Sequence, residues 1–532
     1  MSKNIFSFLA FSLLLSGCAM PYFASNTPEN TVHNMMSRPA VSGDGKFSPD
    51  AKNLPLVESS QVVMLKDGDV FEMTAEMVQQ KVGDIVMKRL AYNRQIPGPR
   101  IEVEQGATIT LKLTNKLDIP TTLHPHGLRL DDTSDGVPIS MMGKQKDILP
   151  GETFSYALKF PDVGVFWYHP HLREDYTQEM GMYGDFVVRS KDPNYFGKVD
   201  REEFLMVDDF AKNIPFFKGY TNYSLMGRYG NLFLINNLAD FHLTAKRGEK
   251  IRFYITDTSN TRVFDVKIDG GAMKLVGGDL GRIEQEKKID HLVLAPAERA
   301  IIEVQFEDDG VFPILHRGQK IGEIEVLPSD LHPIETLSFQ KNPDDYAVIR
   351  KDFEKFLKAP ADKRLRITME MNGMGEMENM GGMMQNGSGM MGKSPLGLED
   401  GIEWEDSMPM MNASTTDKNT KWILEDTQTK KQNMDIQWQF KKGDLVKIEV
   451  FNDPNTHHPM QHPLHFHGQR FVVLSRDGKP NDDLQWKDTV LIPSGQKIEI
   501  LLDASNPGSW MAHCHIAEHL QAGMMLHFDV TE

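Results

Sequence analysis

Of the 18 histidines in this chain, ten fall into four short clusters. They are His124-Pro-His126-Gly127, then Trp167-Tyr168-His169-Pro170-His171, then His462-Pro-Leu-His465-Phe-His467-Gly468, and last His513-Cys514-His515-Ile-Ala-Glu518-His519, followed by Gly523-Met524. On a strand, His-x-His points both imidazoles to one face, and a glycine after the pair lets the backbone turn tightly. One such pair could be a surface feature; four in one chain, one of them around a cysteine, could not. Ligand type selects the metal. One Cys, two His and a distant Met are the set of a blue-copper electron-transfer site. Zinc prefers a closed tetrahedron of four strong ligands and has no use for eight further histidines. Iron–sulfur clusters need more than the two cysteines present.

The other cysteine lies near the start. Lys3, an apolar run from Ile5 to Leu15, and Leu15-Ser16-Gly17-Cys18 read as an export signal too short to span a bilayer permanently. Small residues before a cysteine resemble the lipobox of bacterial lipoproteins, in which Cys18 would be acylated. Residues 19–54, rich in Ser, Asn, Pro and Gly, follow as a flexible tether. An exported protein left with Cys514 alone can make no internal disulfide, so metal ligation is a natural use of that thiol. A formal charge of −17 excludes a nucleic-acid partner, which needs a basic face.

The elements that carry these clusters repeat three times. Gly106 to Asn115, Gly248 to Asp257 and Gly443 to Asn452 each place apolar residues three, five and seven positions after a glycine and Asn or Asp nine after it. That is a turn, a half-buried strand and another turn. A second trio runs from Leu149 to His169, Leu294 to His316 and Ile492 to His513. The pattern predicts three tandem β-sandwiches, near 55–192, 193–345 and 346–532. Gly164 and Gly508 precede His169 and His513 by five residues, whereas Leu315 stands five after Gly310. The middle domain thus reads as a copper-free spacer.

With all four clusters present in order, the chain resembles the multicopper oxidases, the family of laccases, ferroxidases and bacterial copper-efflux oxidases. The resemblance implies an all-β fold of three cupredoxin-like Greek-key domains and four copper ions. It implies a type 1 copper on His462, Cys514, His519 and axial Met524, and a type 2 copper on His124 and His465. The type 3 pair would take His126, His169 and His515 on one ion and His171, His467 and His513 on the other. Such a protein oxidises a small reducing substrate at type 1 and reduces O2 to water at the trinuclear cluster. Cys514 sits between His513 and His515, so a short through-bond route joins the two sites. Asp135 matches an acidic residue the family uses near the cluster. Copper-efflux oxidases place Glu directly after the type 1 histidine; here Leu520 stands there, with Glu518 two positions earlier.

The substrate is read from methionine. Twelve lie in the 43 residues from Met369 to Met411, interleaved with Gly, Asn and Glu, in an arrangement unlike a packed core. Thioethers are soft ligands suited to Cu(I). The segment resembles the Met-rich insert of copper-efflux oxidases, which implies Met369, Met371 and Met374 as candidate substrate-copper ligands. Met460 lies where those oxidases bind substrate copper, and His458 replaces their Asp. Two classes of function remain: a cuprous oxidase, with ferroxidase or laccase-like phenol oxidation as alternatives, or a copper-sequestering lipoprotein. Storage needs no His-Cys-His bridge, and a copper nitrite reductase needs no type 3 pair, so the enzyme is favoured. The expectation is a monomeric oxidase in copper tolerance, lipid-anchored on the periplasmic side and, in a Gram-negative host, at the outer membrane.

Overall fold

The computed structural model describes residues 48–211, 225–331, 338–371, 400–416 and 418–532. Cys18, the tether up to residue 47 and Met374 lie outside them. Among the described residues no helix is long and apolar enough to cross a membrane.

Among the described residues six sheets stack as three pairs, each around its own apolar layer, as alternating strands demand when one face is buried. In the first pair, Ile85–Tyr92, Val70–Val82, Thr108–Asn115 and Thr153–Lys159 face Val62–Met64, Arg100–Glu104, Gly184–Arg189, Gly164–His169 and His124–His126. The second and third pairs share one topology. Arg201–Phe210, Lys250–Asp257 and Arg299–Phe306 run side by side as Lys363–Met371, Asp444–Asn452 and Lys497–Ala504 do. The repeated glycines share their conformations: φ is 151°, 149° and 150° at Gly164, Gly310 and Gly508, and 88°, 79° and 91° at Gly106, Gly248 and Gly443.

Register shows why the middle copy is inert. His124 lies opposite His169, and His465 opposite His513. At the corresponding place Leu315, five residues after Gly310, lies opposite Lys267. Neither an ammonium nor a leucine side chain offers a ligand lone pair, so the same scaffold holds no histidine pair there. His316 instead accepts from the Asp265 amide at 3.1 Å and packs against Phe233 and Phe264.

One expectation is corrected. Met369 and Met371 do not begin an irregular insert. They end the strand Lys363–Met371, which pairs with both Thr420–Asp426 and Asp444–Asn452. Met369 is buried in the third core, and Met371 packs against that core half-buried.

Candidate metal centre

Each cluster sits where a short strand meets a turn at the seam of the first and third sandwiches. The three-residue strand His124–His126 presents both rings to one face, whereas His462–Phe466 turns His465 toward His126 and His462, three positions earlier, to the opposite face beside Cys514. Ligand atoms of His171, His467 and His513 lie within 4.8 Å of one another, as do those of His124, His465 and His467, and of His124, His126 and His169. His515 joins them, its ring 5.0 Å from that of His126 and 5.2 Å from that of His169. A second group stands apart: Cys514 Sγ is 3.5 Å from Nδ1 of both His462 and His519. Met524 is buried in the same core as Cys514, and its carbonyl accepts from the Cys514 amide at 3.2 Å.

These residues fit metal ions. All ten histidines and Cys514 are buried. Nine ring nitrogens among them have no hydrogen-bond partner: Nε2 of His124, His169, His465 and His519, Nδ1 of His126, and both nitrogens of His171 and His515. Each such orphan costs about 1–3 kcal/mol, so their convergence calls for an electrophile. Nε2 of His467 and of His513 lie 3.0 Å apart. A neutral imidazole has one N–H, and these two donate it from Nδ1, to Asp135 at 2.9 Å and to the Cys514 carbonyl at 2.8 Å. Two bare lone pairs therefore face each other, which only a cation between them can relieve. Burial holds His462 and His467 down at about 3, leaving both neutral and able to ligate. Burial also pushes the Cys514 thiol far above its usual range; a bound cation supplies the charge that turns it into a thiolate.

Four carboxyl groups surround the centre with different tasks. Burial raises Asp135, but its pairing with His467 and His124 outweighs that and holds it below the ordinary carboxylate range. Its carbonyl accepts from His124 Nδ1 at 2.7 Å, so Asp135 orients two rings. Asp488 Oδ1 stands 3.1 Å from His126 Nε2. Glu518 turns away, accepting from Asn260 and Thr261 at 3.1 Å each. It does not face the histidines, and Leu520 is buried with Val137, Met511 and Met525. Glu174, which the sequence reading passed over, does face them. Its Oε1 is 3.4 Å from His169 Nδ1 and 3.5 Å from His171 Nε2, and neither oxygen has a hydrogen-bond partner. Burial, with the charges of Asp175 and Glu518, raises Glu174 well above the usual range. The available signal was its place three residues after His171.

Near Cys514 the structure brings together only part of the expected substrate set. His458, four residues before His462, is buried; its Nε2 is 2.8 Å from Glu403 Oε2 and its Nδ1 has no partner. Met460 is fully buried in the third core. Met369 lies opposite Trp422 in the sheet. Trp422 is a further residue that spacing did not reveal: it stacks on His519 and meets His462 edge-on.

Three family models, each described as multicopper oxidase, match residues 74–193, 213–327 and 403–532. The chain belongs to the multicopper oxidase family, whose domains bind four coppers. It is 27% identical over 454 residues to a multicopper oxidase of Staphylococcus epidermidis, covering 83% of this chain and 84% of that one. It is 24% identical to copper resistance protein A of Escherichia coli, covering 90% and 94%. In fold it is similar to a multicopper oxidase from Campylobacter jejuni described as a metallo-oxidase, with a TM-score of 0.63 and 22% identity over 91% of this chain and 99% of that one. The protein is an oxidoreductase that takes electrons from a reducing substrate and passes them to O2.

Proposed function

We propose that the substrate is cuprous ion and that the enzyme serves copper tolerance. The observation that carries this reading is the closed approach to Cys514. His462 and His519 are buried beneath Trp422, so a bulky phenol has no ring edge to touch. Beside them a buried imidazole with a free Nδ1, that of His458, is held by Glu403 and offers a small cation a ligand. The likeness to copper resistance protein A and to a metallo-oxidase supports the same substrate class.

In this reading His462, Cys514, His519 and Met524 hold type 1 copper, and His124 and His465 hold type 2. His126, His169 and His515 hold one type 3 ion, and His171, His467 and His513 the other. Bound copper supplies one-electron acceptance at the cysteine site and four-electron reduction of O2 to water at the trinuclear site. The chain does the rest. Asp135 fixes the rings of His467 and His124, and Glu174 keeps a proton at its carboxyl beside His169 and His171. The peptide that joins Cys514 to His513 and His515 links the two sites covalently. Export and acylation at Cys18 would place this monomeric chain on the periplasmic side of a membrane, the outer one in a Gram-negative host.

Oxygen uptake with Cu(I), Fe(II) and a phenol in turn, on wild type and His458→Ala, tests the substrate. The expected result is the highest kcat/KM for Cu(I), with KM for Cu(I) raised roughly tenfold in the variant, about 1.4 kcal/mol, and the blue colour retained. Equal efficiency with all three donors, or no effect of the variant on Cu(I), would refute the assignment.

A further inference from the structure

The middle sandwich gives no histidine to the copper centre, yet one of its side chains stands one residue away from it. Arg299 opens the strand Arg299–Phe306 and forks onto Asp488, with Nη1 2.7 Å from Oδ1 and Nη2 2.6 Å from Oδ2. Its remaining N–H groups are taken by the carbonyls of Val165, Ala297 and Asp279 at 3.1, 3.0 and 3.2 Å, so the guanidinium has one orientation. Both side chains are wholly shielded from solvent.

Asp488 passes that order to two histidines. Its Oδ1 lies 3.1 Å from His126 Nε2 and accepts from the Thr489 hydroxyl at 2.8 Å, while its carbonyl accepts from His465 Nδ1 at 2.9 Å. A carboxylate can only accept, so His126 carries its proton on Nε2 and turns the lone pair of Nδ1, which has no partner, toward the centre. Thus His126 comes from the first sandwich, Arg299 from the second and Asp488 from the third. Gly127 makes this approach possible: a Cβ there would lie 2.4 Å from Asp488 Oδ2 and 2.9 Å from Arg299 Nη2.

We propose that Arg299 is a positioning residue of the trinuclear copper centre, fixing through Asp488 the tautomer and ring plane of His126. The proposal rests on the histidine assignment above and not on the choice of substrate. Two parallel N–H groups in a rigid fork hold both carboxylate oxygens at once, which a lysine ammonium cannot do. Lys487 belongs to the same seam, bonding Asp279 and Glu298 at 3.2 Å each, but is not in hydrogen-bond contact with either histidine. It provides the control.

The test compares copper-loaded wild type, Arg299→Lys, Arg299→Met and Lys487→Met by near-ultraviolet absorption of the type 3 pair, EPR, chelator-resistant copper and thermal unfolding. Arg299→Lys keeps the charge. It should retain the blue band of the cysteine site while the type 3 band falls, EPR-visible copper rises, and trinuclear copper is lost to chelator about 10–100-fold more readily. Lys487→Met should unfold at a lower temperature with the wild-type trinuclear spectrum. Arg299→Met should exceed Arg299→Lys in effect; if it does not fold, Arg299→Lys decides. A wild-type type 3 band and copper retention in Arg299→Lys, or the same spectral change in Lys487→Met, would overturn the assignment by reducing Arg299 to a seam salt bridge. Loss of the blue band in every variant, wild type included, would instead refute the underlying histidine and cysteine assignment.

Discussion

Trp422 lies over His519 with ring centroids 3.9 Å apart and planes 30° apart, and it meets His462 edge-on at 5.2 Å. Its Nε1 donates to the Leu225 carbonyl at 2.7 Å, which fixes the indole in that plane. The two imidazoles through which an organic donor would pass its electron are therefore covered.

Opening that cover should change selectivity. Trp422→Ala is expected to raise kcat/KM for a phenol roughly tenfold, about 1.4 kcal/mol, and to destabilise the fold by about 3–5 kcal/mol as a core truncation. Trp422→Phe keeps an aromatic plane and should keep the low phenol activity. Steady-state kinetics with a phenol on both variants, beside thermal unfolding, checks this. Unchanged phenol efficiency in Trp422→Ala would show that access is limited elsewhere.

Two of the carboxyl groups beside the histidines, Glu174 and Asp135, should separate by behaviour. Glu174 holds a proton beside His169 and His171, so Glu174→Gln should slow oxygen-dependent turnover by about 10²-fold, the low end of proton-transfer catalysis. Anaerobic reduction of the blue site should remain at the wild-type rate. Asp135 instead orients His467 and His124, so Asp135→Ala should loosen trinuclear copper by about 10–100-fold. Stopped-flow reduction and copper analysis distinguish the two. Identical behaviour of the variants would mean that the groups share one role.

The four histidine clusters were legible because each is contiguous in sequence and lies on a strand end whose register follows from period two. The repeat was legible for the same reason, since glycine and apolar spacing recur three times. What escaped was assembled from distance. Trp422 reaches His462 from 40 positions away, Arg299 reaches Asp488 from 189, and neither carries a local pattern. Glu174 stands in the charged run Arg173-Glu174-Asp175, a pattern usual for a solvated face, yet the short helix Glu174–Thr177 packs against Ala517–Gln521 and buries it. The misreading of Met369 had a visible remedy. Leu365, Ile367 and Met369 alternate with Arg366, Thr368 and Glu370, a strand signal that methionine richness obscured.

That strand sets where the Met-rich segment can be cut. Removing residues 372–399 takes away Met374 but leaves Lys363–Met371 and all twelve candidate ligands of the four resident coppers in place. The blue colour and O2 reduction should persist, while turnover of low-concentration Cu(I) should fall several-fold and phenol oxidation should rise. Both substrates measured on the same two proteins give the answer. Equal loss of both activities would mark the segment as structural, and no change would mark it as idle.

Stability should also depend on pH through a carboxyl that is not among the histidine clusters. Burial raises Glu179 to about 7, and Asp209 and Glu518 add to that against the opposing charge of Arg228. A carboxyl raised on folding binds more protons in the folded state. Stability should therefore fall as pH climbs from the ordinary glutamate range to about 7, and level off above it. The full effect is about 3 kcal/mol. Glu179→Gln should remove most of this slope, making the variant the more stable protein at pH 8 but not at pH 4. Denaturant unfolding across that range checks it, and parallel pH profiles for the two proteins would refute it.

The central claim is that Cys514 joins an electron-accepting copper to an oxygen-reducing cluster through its own two neighbours. It is tested most directly by the visible spectrum and oxygen uptake of copper-loaded Cys514→Ser. The variant should be colourless and unable to oxidise any donor, while its histidine-held copper remains EPR-detectable. A Cys514→Ser protein that stayed blue and consumed oxygen would contradict the account.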